Sequence, residues 1–186
     1  MEDTKAESIN LLLYSLLCLL MVGVQTSIWP RYLSPLPAPM FWIYPLVFFA
    51  LFHNFKWSMF YILICVFIMS SFSITPLELL FGSLILIYLG IANLKDRVFW
   101  RGLSYFLLCT FIASVGFHIL YYVLSFVMED TSISGSSRGK SASPQFFFSF
   151  FQIITTSLVG IIFYWINMQI EIHTRKFDTD DVEGIL

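Results

Sequence analysis

At 186 residues, 58% hydrophobic and only 12% charged, with a mean hydropathy of +0.81, the chain has room for one membrane domain and none for a soluble one. A net charge of −2 supplies no basic surface for nucleic acid. Six stretches contain no Asp, Glu, Lys or Arg: Ser8 to Pro30, Tyr32 to Phe55, Trp57 to Leu77, Leu79 to Leu94, Gly102 to Met128 and Ser141 to Ile170. A bilayer core of about 30 Å needs about 20 apolar residues of helix. Five of the stretches reach that length and the fourth is marginal. The pattern predicts an all-α fold: a polytopic membrane protein of about six transmembrane helices in one bundle, a single membrane domain over 1–186.

The N-terminus sets Lys5 against Glu2, Asp3 and Glu7, unlike the positive start of a cleavable signal peptide, so the first helix is expected to be retained. It is predicted over about 9–28, with a leucine-rich core from Leu11 to Val24 and with Gln25, Thr26 and Ser27 marking the interface. Pro30, Pro35, Pro37, Pro39 and Pro45 then alternate with Trp29, Tyr32, Phe41, Trp42 and Tyr44. Proline removes a donor and clashes with the preceding helical turn. The segment Pro30 to Pro39 is therefore expected to be extended at the interface, where aromatic rings sit. Trp29, Arg31 and Trp42 are read as interfacial anchors.

Helix two, about 39–52, is short for a full span and carries Pro45 in its first turns. A polar turn, His53 to Lys56, leads to helix three, about 57–72. Ser70, Ser71, Ser73, Thr75 and Pro76 break the chain before helix four, about 77–94. Arg97 and Arg101 stand one helical turn apart beside Trp100 and read as an anchor on the cytoplasmic side. Helix five is placed at about 98–128. A Ser-Gly-rich stretch, 129–143, is expected to be a flexible external loop. Helix six, about 144–170, opens on Phe146, Phe147, Phe148, Phe150 and Phe151, and 171–186 reads as a loose, charged cytoplasmic tail.

Six crossings put both termini on one side. That side holds Lys5, Lys56, Lys95, Arg97, Arg101, Arg175 and Lys176, against Arg31, Arg138 and Lys140 on the other. Seven basic residues against three predict cytoplasmic termini.

The polar residues inside apolar stretches are the candidates for chemistry. Glu78, two residues after Pro76, is either a cap complementing the helix's positive end or a partner-facing group in the membrane. His118, in the middle of helix five, is read mainly as a helix-to-helix hydrogen-bonding group. Gln25, Gln152 and Asn167 are the further polar intramembrane candidates. Cys18, Cys65 and Cys109 are dispersed and read as small buried apolar residues. No nucleophile elbow, zinc-protease motif or phosphate loop is present in the sequence, so no catalytic residue, metal ligand or cofactor is expected.

Three places give the chain a resemblance to a known family. Helix one ends Val24-Gln25-Thr26-Ser27-Ile28-Trp29-Pro30-Arg31. A proline precedes an aromatic-aliphatic helix two in Pro39-Met40-Phe41-Trp42-Ile43-Tyr44-Pro45. The break from Ser71 through Thr75-Pro76-Leu77 leads into helix four, with Tyr88-Leu89 near its end. Together these resemble the MreD family of bacterial rod shape-determining proteins, over about Ile9 to Arg101. Family members commonly carry Asp at the end of helix three; here the matching position is about Met69, and Glu78 is the candidate to stand in for it.

The resemblance implies a non-enzymatic scaffold of the bacterial inner membrane that binds MreC and helps to place cell-wall synthesis enzymes along MreB filaments. The fold also looks similar to the substrate-binding subunits of energy-coupling-factor transporters. The alternative expectation is thus a small transporter or such a binding subunit, with Thr26, Tyr32, Trp42 and the outer ends of helices five and six available to line a cavity. The lipid bilayer is the one partner that composition alone implies, and the oligomeric state stays open.

Overall fold

The computed structural model of the protein describes residues 2–33, 36–73, 76–95, 102–131 and 142–174, with side chains described except at 2–6, 125–131 and 142–147. Every described regular element is helical. The order is α1 (Glu2–Gly23), a π-helical turn (Val24–Ile28), α2 (Trp29–Tyr32), α3 (Ile43–Phe52), α4 (Phe55–Phe72), α5 (Leu77–Lys95), α6 (Leu103–Thr131) and α7 (Ala142–His173). Five spans are long and apolar enough to cross a bilayer: Glu7–Tyr32, Phe55–Phe72, Leu77–Lys95, Leu103–Leu124 and Phe148–His173. The protein is a multi-pass membrane bundle.

The spans close into a ring. α1 packs on α4, α4 on α5, α5 on α6, α6 on α7, and α7 returns to α1. α3 stands inside, touching α4, α5, α6 and α7. At ten residues it is about 15 Å long, half a bilayer core. Ile43 through Leu51 are all buried.

Its position follows from what precedes it. The chain from Leu36 to Trp42 is not helical, and lipid cannot satisfy exposed backbone groups. Such a segment must be enclosed by protein, and α7 provides the partners. Gln152 Nε2 donates to the Ala38 carbonyl at 2.7 Å, and the Met40 N–H donates to Thr156 Oγ1 at 3.0 Å. Trp29 Nε1 donates to the Leu36 carbonyl at 2.9 Å. Tyr44 ties the start of α3 to α7 as well, its hydroxyl donating to the Thr156 carbonyl at 2.6 Å and its ring stacking on Phe163 at 4.5 Å. Gly160 keeps α7 close: a Cβ there would lie 3.1 Å from Leu107 and 3.4 Å from the Tyr44 ring.

Several sequence expectations shift. Helix two is expected from Pro39; the helix begins at Ile43, because the Met40 N–H is bonded sideways to α7 and the other backbone bonds of 39–42 close only short local turns. Pro30 was expected to open an extended segment; instead the helix runs on to Tyr32. The π turn makes this possible. The Trp29 N–H donates to the Val24 carbonyl, five residues back, and the widened turn moves the carbonyls away from the Pro30 ring. Pro30 then falls in the first turn of α2, where no donor is required. Helix five is described over Leu103–Thr131, and residues 98–101 of its expected start lie outside the described residues. The tail does not begin at Glu171, since α7 continues to His173. Of the loop 129–143, residues 132–141 lie outside the described residues, as do 175–186 of the tail.

Candidate functional site

Two polar centres lie at opposite ends of the bundle axis. The first is at the His53 end of α3. Glu171 on α7 is fully buried, and its Oε1 lies 2.8 Å from His53 Nε2. Tyr14 of α1 donates its hydroxyl at 3.1 Å either to Glu171 Oε1 or to the Asn167 carbonyl, and Asn10 Nδ2 donates to Glu171 Oε2 at 3.1 Å. One carboxylate thus joins α1, α7 and the end of α3, and it sets the start of α1 and the end of α7 at the same face. The Phe49 ring is stacked between His53 at 4.1 Å and Tyr61 at 4.6 Å, with Tyr14 edge-on at 4.9 Å. Just inside this layer, Cys18 Sγ and Cys65 Sγ meet at 3.5 Å across the α1–α4 contact.

The second centre is at the Pro39 end. Because α3 starts only at Ile43, the axis beyond it is left to Met40 and Trp42, and a cavity of about 330 Å³ remains above them. Every span contributes to its wall. Gln25 and Thr26 come from the π turn, Met69 and Phe72 from α4, with Ser73 just beyond it. Leu80 comes from α5, Phe117, His118 and Tyr121 from α6, and Gln152 from α7. No Asp, Glu, Lys or Arg stands among these lining residues.

The polar groups of the wall are held differently. Gln152 is fixed by its bond to Ala38, and Thr26 donates to the Val22 carbonyl of its own helix at 2.8 Å. Gln25 Oε1 and His118 Nε2 are buried without a hydrogen-bond partner among the described residues. The π turn is what rotates Gln25 and Thr26 together onto the cavity, a common use of such turns. The wall also presents an aromatic surface where the Trp42 and Phe117 rings meet 4.8 Å apart.

Four of the residues singled out in the sequence therefore converge: Gln25, Trp42, His118 and Gln152 line one cavity. Trp42 is corrected from interfacial anchor to core, being only 2% exposed at the bundle axis. His118 lines the cavity, and its Nε2 is buried with no hydrogen-bond partner among the described residues, so that atom makes no link to a neighbouring helix. Asn167 is at the other end, fully buried, and meets α1 through its backbone carbonyl rather than its side chain. Glu78 is exposed in the first turn of α5 and is not among the residues that line the cavity. Trp29 is half-buried on the Pro-rich segment, its ring 5.9 Å from Phe41, and Arg31 is exposed with its guanidinium 5.9 Å from the Tyr32 ring. Arg97 and Arg101 lie outside the described residues.

Sequence reasoning missed His53, Glu171, Asn10, Tyr14 and the Cys18–Cys65 pair. A signal existed for α1: Asn10, Tyr14, Cys18 and Val22 repeat every fourth residue in a leucine-rich run, and all four are buried. Among the described residues no group of three or more His, Cys, Asp or Glu side chains is placed to hold a metal ion.

Comparison with protein-family models, curated proteins and solved structures finds no significant match to this chain.

Proposed function

We propose that the protein is a non-enzymatic integral scaffold of the bacterial cell-shape complex, similar to MreD, seated in the inner membrane with both termini in the cytoplasm. The observation that carries this reading is a convergence. The three stretches on which the resemblance rests lie far apart in sequence, yet each lines the same cavity: Gln25 and Thr26, Met40 and Trp42, Phe72 and Ser73. The placement of basic residues also supports the orientation, since Lys56 and Lys95 belong to the His53 end and Arg31 to the opposite one.

In this role MreC and cell-wall synthesis enzymes dock on the lipid-facing sides of the ring. Helix association in a bilayer depends on shape and a few polar contacts, and all five spans present large apolar side chains outward. Affinity purification of the tagged chain from native membranes tests this. The MreC-like protein of the same cell should co-purify; its absence under mild detergent, with the bundle intact, would remove the reading.

A second reading, a substrate-binding membrane subunit similar to energy-coupling-factor components, is favoured by the cavity itself. Recovery of an ATPase and a coupling subunit in the same purification would select it.

A further inference from the structure

We propose that the Glu171–His53 contact is an acid-sensitive latch on the seam between α1 and α7, closed when the pair holds one proton and released when it takes a second. The inference stands on this cluster alone and goes beyond the cell-shape reading. Failure of the exchange experiment below would leave the co-purification experiment untouched, and the reverse holds too.

The latch sits where the ring of spans is weakest. α1 and α7 touch each other less than any other neighbouring pair in the ring. A cavity of about 450 Å³ lies beside their seam, lined by Leu13 of α1 and, on α7, by Trp165, Ile166, Gln169, Ile170 and His173. The side-chain bonds that cross the seam converge on Glu171 and the turn before it. Asn10 donates to Glu171 Oε2, and Tyr14 donates to Glu171 Oε1 or to the Asn167 carbonyl. His53, at the end of α3, meets Oε1 from the third side at 2.8 Å. Loosening Glu171 therefore loosens the seam.

Charge decides when that happens. Asn10, Tyr14, His53 and Glu171 are all buried. With one proton between carboxyl and imidazole the pair has no net charge, whichever atom carries it. A second proton leaves an imidazolium beside a neutral acid, a net positive charge enclosed by Phe49, Tyr14 and Tyr61. It also makes one carboxyl oxygen a donor where Asn10 and His53 already donate. An open seam gives both groups water. The open form then takes the second proton more readily than the closed one, so acid favours opening.

The other titratable groups at this end leave that charge in place. Tyr14, Tyr61, Cys18 and Cys65 are phenols and thiols, which carry no charge in acid. Lys56 at the start of α4 and His173 at the end of α7 are exposed, and Lys95 at the end of α5 is half-buried; all three are bases. Glu7, on the first turns of α1, is a half-buried acid and serves as the control.

The test is hydrogen–deuterium exchange by mass spectrometry on the full chain in lipid nanodiscs, at about pH 7 and about pH 4.5, a range that covers ordinary His and Glu titration. Exchange over residues 7–14 is divided by exchange over 103–113 of α6 in the same sample, which cancels the pH dependence of amide chemistry. Acid should raise this ratio on the order of tenfold, the loss of one hydrogen bond to a charged group. His53→Gln should reverse the sign: its cluster is negative at neutral pH and uncharged in acid, so acid should lower the ratio. Should His53→Gln fail to fold, the double variant His53→Gln with Glu171→Gln buries no titratable pair and should give the same ratio at both pH values. Glu7→Gln should rise in acid like the original protein. The proposal is overturned by a ratio that does not change with pH in the original protein. It is equally overturned by an undiminished acid rise in folded His53→Gln or in the double variant, or by loss of the rise in Glu7→Gln.

Discussion

Glu171 Oε1 and His53 Nε2 meet at 2.8 Å although 118 residues separate them in the chain. The contact closes the bundle at one face, because the same carboxylate also receives Asn10 and Tyr14 from α1. Removing one partner of a buried, hydrogen-bonded pair leaves the others without compensation. Glu171→Leu should therefore destabilise the bundle by about 3–5 kcal/mol. Glu171→Gln keeps an acceptor for His53 or Tyr14 and should lose only about 1 kcal/mol. Thermal unfolding in detergent measures both, and equal losses for the two variants would show that the carboxyl contacts do not hold the helices.

The non-helical segment before α3 depends on α7 for its backbone partners. Thr156→Val keeps the shape of the side chain and removes the acceptor for the buried Met40 N–H, which should lower stability by about 1–3 kcal/mol. Thr156→Ser should restore most of it. Thr155 next door donates only within its own helix, so Thr155→Val should be close to silent. A matching loss at both positions in denaturant titrations would mean that helix propensity, not the Met40 bond, sets the effect.

Cys18 and Cys65 are the two thiols placed to react with one another. Treatment with copper-phenanthroline removes two electrons and two protons from the pair and should join α1 to α4 by a disulfide within the chain. Maleimide counting after denaturation should then find one free thiol, the buried Cys109. Cys65→Ser should abolish the link and Cys109→Ser should leave it. Links between chains in place of the internal one would contradict the α1–α4 packing.

Gly160 lies where α7 meets both Tyr44 and Leu107. Alanine requires only that the Leu107 methyl give way by a few tenths of an ångström. Leucine cannot be housed without separating α7 from α3, and overpacking of this kind costs about 1–3 kcal/mol. Gly160→Leu should lower the unfolding temperature clearly and Gly160→Ala little; comparable losses would place the limit on backbone flexibility instead.

The segments and their order were legible in the sequence because charge-free length is a direct consequence of bilayer thickness. The packed faces were harder. In lipid, Leu12 and Leu16 face outward while Tyr14 and Cys18 face inward, so hydrophobicity does not mark the core as it does in water. The polar and small residues mark it. Glu171 escaped notice because it sits just past the uncharged stretch, where a charge reads as the start of a tail. Its register with Asn167 and Tyr164 on one face of α7 was the available clue. Trp42 read as an anchor because tryptophan favours interfaces; only the non-helical path of 36–42 carries it to the axis. The partners of that path, Gln152 and Thr156, lie more than a hundred positions away, beyond the reach of local pattern.

The proposed scaffold role is tested most directly by depletion in the organism that encodes the chain, with wall insertion imaged through a fluorescent D-amino acid. Cells should widen and round as the protein is lost, with insertion scattered instead of distributed along the sides, and a plasmid copy should restore rods. Cells that keep both rod shape and the side-wall insertion pattern after full depletion would contradict the account.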